Sequence, residues 1–141
     1  MSTTDEMVDV LREWQALERK AMNDTAEVME RTSSPLIRIV MEIIRHDSLM
    51  HHRVEQFLID SVTKQAVTVT RDDIVEVWDR LEEHDRAERR TIELAEALRK
   101  KAWSPVHKLL LDYLLHEEGK HDSLIAQLDT FKKELSKGSG A

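Results

Sequence analysis

The sequence contains the same pattern twice, at a constant offset along the chain. Ser34-Pro35 in the first copy matches Ser104-Pro105 in the second, and the register holds without a gap from Leu11 and Leu81 to Leu58 and Leu128. In that register His51 matches His121. A repeat of this kind predicts two copies of one supersecondary unit.

Each copy has the features of a helical hairpin. Serine before proline is a typical helix start, because the serine caps the first turn and proline lacks an N–H that has no partner there. Thr70-Arg71-Asp72-Asp73 is a similar start signal for a third helix. The expected helices cover about 5–32, 35–62, 71–102 and 105–136.

These helices predict an all-α fold, a four-helix bundle built from two similar helical hairpins. We expect one domain over 1–136, with hairpin repeats at about 5–62 and 71–136, and a flexible tail at 137–141. The connection near 62–70 is rich in β-branched residues. It either crosses along the bundle or links adjacent helix ends.

Composition excludes several classes of protein. With 3 Gly, 2 Pro and six aromatic residues, the chain lacks the turns and aromatic strands of an all-β fold. A net charge of −7 argues against nucleic-acid binding. The absence of cysteine excludes disulfides and thiolate metal sites. No apolar run is long enough for a membrane span, and the N-terminus lacks a signal core, so we expect a cytoplasmic protein.

Ionisable residues interrupt the apolar stripes of the expected helices. In the fourth helix, Glu117 and His121 fall within a stripe of leucines, and in the second helix Asp47 and His51 do the same. Each acid lies one turn before its histidine, so the two side chains share one helix face. The third helix carries His84 one turn before Glu88.

The spacing also predicts which acids and histidines lie level with each other. Glu18 lies before Ser34 at almost the same number of residues as His51 lies after it. Glu88 and His121 lie before and after Ser104 in the same way. In an antiparallel hairpin each Glu is then level with its His, about 25 Å from the turn.

A buried layer of this composition has an unbalanced charge. Four carboxylates (Glu18, Asp47, Glu88 and Glu117) would face three imidazoles (His51, His84 and His121). One negative charge remains even if every imidazole is protonated, and burying it costs several kcal/mol. A multivalent cation would remove this cost, and carboxylate with imidazole suits iron, manganese or zinc. The alternative is a purely structural hydrogen-bonded layer.

The duplicated hairpin with these residues resembles the ferritin-like superfamily, which includes ferritins, bacterioferritins, rubrerythrins and encapsulated ferritins. The resemblance covers about 5–135, and its most specific stretch is Glu118-x-x-His121. The intervals from Glu88 to Glu118 and from Glu88 to His121 are similar to those of the encapsulated ferritins.

The resemblance implies a di-iron centre that oxidises ferrous iron with dioxygen or peroxide, in a homo-oligomer. Metal ions, and dioxygen or peroxide, are then the expected partners. Glu18 and Glu88 would each supply one carboxylate, and His51 and His121 would supply the imidazoles. Glu118 or Glu117 would bridge the metals, and Asp47 would replace its counterpart in the first copy. His84, His46 and His116 are candidates for groups that orient the ligands.

Two departures from the family pattern keep other functions open. Ser48 occupies the first-copy position that matches Glu118. Glu117 and Glu118 differ by about 100° around the helix, so only one can point inward. One alternative is a non-catalytic scaffold or interaction protein with a degenerate metal site. Another is a hemerythrin-like oxygen or iron sensor, since the third helix carries Leu81-Glu-Glu-His-Asp85.

Overall fold

Four long helices make up most of the chain. The computed structural model describes residues 2–139, with helices α1 (Thr3–Arg31), α2 (Pro35–Thr63), α3 (Arg71–Lys101) and α4 (Pro105–Ser139). No strand occurs within that range. The all-α prediction is confirmed, and the predicted helix ends lie within three residues of those observed.

The helices start at the residues that the sequence indicates. The Ser34 side chain accepts a hydrogen bond from the backbone of Ile37, and Pro35 follows at the first helical position. Thr70 and Asp73 form a capping box, in which each side chain binds the other's backbone N–H. The hydrogen bonds from Thr70 hold the pKa of the Asp73 carboxyl below its ordinary value.

Helix α4 extends beyond the end that the sequence suggests. It continues to Ser139, so residues 137–139 of the expected flexible tail are helical. Lys137 lies in the last turn, where a positive charge stabilises the negative end of the helix dipole. Gly140 and Ala141, the last two residues of that expected tail, lie outside the described residues.

The helices pair as two hairpins. Helix α1 packs against α2, and α3 packs against α4. The chain divides between Val67 and Thr68 into two compact units, each containing one hairpin. The hairpin turns are short and occupy 32–34 and 102–104. The prediction of two hairpins is therefore confirmed.

The seam between paired helices contains few apolar residues. Leu11 and Ile59 are the buried apolar residues of the first hairpin, and Ile74 and Ala95 those of the second. Polar residues fill the remaining buried positions: Gln15, Thr25, Ser48, Glu55 and Glu88. A polar seam is unusual, because buried polar groups need partners.

Several large apolar residues lie outside the seam and are exposed. About half of the surface of Trp14, Met50, Phe57, Leu124 and Phe131 is open to solvent. Two paired helices bury only the narrow seam between them, so a broad apolar stripe extends beyond that seam. None of the four helices, over the residues described, has the long apolar stretch that crossing a membrane requires.

Candidate metal site in the second hairpin

Glu88 is the buried centre of the second hairpin. It lies on α3, and only 8% of its surface is exposed. Its Oε1 lies 2.7 Å from Nε2 of His84, one turn earlier on the same helix, and 3.4 Å from Nδ1 of His121 on α4. Its Oε2 is buried and has no hydrogen-bond partner. This oxygen of the Glu88 carboxylate thus lacks a hydrogen-bond donor.

Glu118 and His121 complete a group of donors around Glu88. One ligand atom from each of the three residues lies within 4.8 Å of the other two. Glu118 is partly buried and His121 is exposed. The two residues are three positions apart on α4, so they lie on adjoining turns of one helix face.

The chemistry of these three residues fits a divalent transition metal. Two carboxylates and one imidazole are the donors that iron, manganese and zinc accept. A cation would also compensate the buried, unpartnered Oε2 of Glu88. The contact of His84 with Oε1 would then hold the Glu88 carboxylate in one orientation, as groups behind metal ligands commonly do.

Glu117 lies outside this group of donors. Its carboxylate pairs with Lys120 at 2.8 Å, on the same helix. Adjacent residues of a helix point about 100° apart, so Glu118 and Glu117 cannot both face the seam. Of the two candidates left open by the sequence, the structure brings Glu118 together with Glu88 and His121.

The first hairpin brings together the matching glutamate and histidine. Glu18 Oε2 lies 3.1 Å from Nδ1 of His51. The predicted level pairing of Glu with His is therefore confirmed in both hairpins. Ser48 is buried at the position that matches Glu118. Asp47 is partly buried, and it joins no group of three metal donors among the residues described.

Glu55 is a buried carboxylate that the sequence reasoning missed. Only 3% of its surface is exposed, and its Oε1 has no hydrogen-bond partner. Burial raises the pKa of Glu55, and the nearby charge of Glu18 raises it further, while His51 and His52 lower it. The repeat did indicate that this position is buried, because the second hairpin has the apolar Ile125 at the matching position.

A second acidic cluster next to Glu88 was also missed. Arg89 lies 2.9 Å from Asp85 on its own helix and 3.6 Å from Asp122 on α4. The hydrogen bond between the two aspartates raises the pKa of Asp85, with burial acting in the same direction. The matching residues of the first hairpin are Gln15 and His52, where the Gln15 amide donates to the His52 carbonyl. An amide and an imidazole there replace the two carboxylates.

The three histidines expected to orient the ligands differ in position. His84 contacts Glu88 directly. His46 and His116 are exposed, and no hydrogen bond joins either of them to a candidate ligand in the part of the chain described. No protein-family model, no curated protein and no solved structure matches this chain.

Proposed function

We propose that this chain is a ferritin-like metal-binding protein that binds iron through Glu88, Glu118 and His121. The observation that carries the proposal is the grouping of these donors within 4.8 Å around a carboxylate whose second oxygen is buried and unpartnered. Manganese or zinc would suit the same donors. A cytoplasmic location, expected from the sequence, and self-association into a homo-oligomer, implied by the family resemblance, are also part of the proposal.

The proposed reaction is the oxidation of ferrous iron, with dioxygen or peroxide as the electron acceptor. Iron supplies the change of oxidation state, and a di-iron centre would require further ligands beyond these three residues. Glu88 and Glu118 neutralise the cation, while His84 holds one oxygen of Glu88 in place. His121 lies at the exposed side of the group, where small molecules have access.

Neighbouring glutamates provide a matched pair of variants for the test. Protein purified without added metal would be subjected to elemental analysis and then titrated anaerobically with ferrous iron. We expect Glu118→Gln to weaken binding at least about tenfold, because a direct ligand matters no less than the groups behind it. Glu117→Gln, which removes a carboxylate paired with Lys120, should bind iron as the wild type does.

Oxygen consumption on adding ferrous iron then separates the possible functions. An oxidase consumes oxygen in the wild type and in Glu117→Gln, and consumes far less in Glu118→Gln. A non-catalytic scaffold neither binds iron stoichiometrically nor consumes oxygen. A hemerythrin-like sensor shows a colour change that reverses when oxygen is removed. Equal iron binding by both variants would contradict the assignment of Glu118.

A further inference from the structure

The seam of the first hairpin contains two carboxylates with an uncompensated oxygen each. Glu55 Oε1 and Glu18 Oε2 are both buried and have no hydrogen-bond partner. Glu18 Oε2 is close to Nδ1 of His51, at 3.1 Å, but the two groups are not aligned as a hydrogen bond. Leaving such an oxygen unsatisfied costs about 1–3 kcal/mol.

No basic side chain of the described residues forms an ion pair with Glu55. Arg19 of α1 approaches His52, with 3.1 Å between its Nη1 and His52 Nε2. The charged groups that act on Glu55 are Glu18, His51 and His52. The seam therefore gathers two acids and an imidazole without a fixed positive charge between them.

The two hairpins each place a second carboxylate one turn from the histidine, but on opposite sides of it. In α4, Glu118 lies one turn before His121, whereas in α2 Glu55 lies one turn after His51. Ser48 and Ile125 occupy the corresponding positions of the opposite hairpin. Both arrangements put the carboxylate and the imidazole on one helix face.

We propose that the first hairpin carries a separate cation site in which Glu18, His51 and Glu55 bind a divalent first-row transition metal. Two carboxylates and one imidazole form the same type of donor set as in the second hairpin, with a different order along the helix. This site does not depend on the function proposed above, since it shares no residue with Glu88, Glu118 and His121.

Binding at this site requires a side-chain adjustment. The donor atoms of Glu18, His51 and Glu55 are not all within 4.8 Å of one another, unlike those of the second hairpin. Binding therefore requires rotation of side chains that brings the three donor atoms together. Because this rearrangement costs free energy, the first hairpin should bind metal more weakly than the second.

Cobalt(II) is a suitable probe, since its visible absorption reports coordination by protein ligands. The chain of residues 1–141 with Glu118→Gln and His121→Ala serves as the starting protein, because the second-hairpin site is then disabled. We expect this protein to bind one equivalent of cobalt. Adding Glu55→Gln should weaken that binding at least about tenfold. Adding Glu42→Gln, at an exposed position of α2, should leave it unchanged.

Glu55→Ile is a second variant that should retain the fold, because isoleucine is the residue that the second hairpin has at this position. Circular dichroism checks its helix content, and cobalt should raise the melting temperature of the starting protein but not of this variant. The proposal is overturned if the starting protein binds no cobalt, or if either Glu55 variant binds it as well as the starting protein. Cobalt binding by the wild type alone would support the second-hairpin site and exclude this one.

Discussion

In the seams of the two hairpins, three glutamates carry a polar atom that lacks a partner. Glu18, Glu55 and Glu88 each hold one buried oxygen without a hydrogen-bond partner. At about 1–3 kcal/mol each, these oxygens together consume a substantial part of the roughly 5–15 kcal/mol that stabilises a domain. Each also lies close to a histidine. A bound cation would convert all three costs into favourable interactions, which would link the stability of the metal-free protein to metal binding.

Deprotonation of Glu55 should make the metal-free protein less stable as pH rises. Burial raises the pKa of Glu55 above its ordinary value of 4.5, with Glu18 adding to the rise and His51 and His52 opposing it. A carboxyl with a raised pKa in the folded state makes its full contribution to stability below the unfolded pKa. That contribution is lost as pH rises through the folded pKa.

Glu55→Ile removes this penalty. In the presence of a chelator at pH 7, we expect the variant to be about 1–3 kcal/mol more stable than the wild type, with a flatter dependence on pH. Urea unfolding at several pH values between 4 and 8 measures both effects. Glu42→Gln, on the exposed side of the same helix, is the control. A variant that is less stable than the wild type at pH 7 would contradict the prediction.

At the scale of the helix, the repeat predicts where a residue lies along the helix axis better than which side of the helix it faces. Capping residues and the constant offset of the repeat indicate where each helix begins and which Glu is level with which His. The direction of the seam was harder to predict. On α2 the buried residues are Ser48, Glu55 and Ile59.

The apolar stripe and the seam of α2 lie on different faces. The stripe passes through Met50, Val54 and Phe57, which are exposed, and the seam is displaced from it by about one residue, or about 100°. The apolar periodicity of α2 therefore did not predict that Glu55 is buried. It also favoured Glu117 over Glu118 in α4, because Glu117 falls within the apolar stripe. Only the packing of the partner helix distinguishes these neighbours.

Exchange of one residue between the hairpins tests whether the seam positions are equivalent. Ser48 matches Glu118 in the repeat and is buried beside α1. We expect Ser48→Glu to restore cobalt binding to a protein that lacks Glu118, His121 and Glu55 as ligands, because it recreates the donor order of the second hairpin. The same change should destabilise the metal-free protein by about 1–3 kcal/mol, as it buries another carboxylate.

Leu49→Glu provides the control for this exchange, since Leu49 is the exposed neighbour of Ser48. Cobalt titration and urea unfolding of both variants give the comparison. If Leu49→Glu restored binding equally, a general increase in negative charge would explain the result and the matched register would not.

At the scale of the whole molecule, the two candidate sites belong to different compact units. Glu18, His51 and Glu55 lie in the unit before residue 68, and Glu88, Glu118 and His121 lie in the unit after it. The net charge of −7 favours cations at both sites. A site contained within one hairpin stabilises that hairpin through its own ligands. Metal binding should then leave a separate signature in each unit.

Hydrogen exchange with and without zinc, read by mass spectrometry, can detect the two signatures. Zinc at about 100 times its dissociation constant stabilises the folded state by about 2.7 kcal/mol, which slows exchange through opening of the site about 100-fold. We expect slower exchange in both hairpins of the wild type. Glu118→Gln with His121→Ala should lose the effect in 71–139 alone, and Glu55→Gln should lose it in 3–63 alone.

Magnesium is the control ion, because it prefers oxygen ligands and retains its waters, so it should slow exchange in neither hairpin. Loss of zinc protection in both hairpins from the Glu118 and His121 changes would contradict two separate sites. That result would indicate that metal binding in the two hairpins is coupled. The exchange pattern thus distinguishes two hairpins that bind metal independently from two that do not.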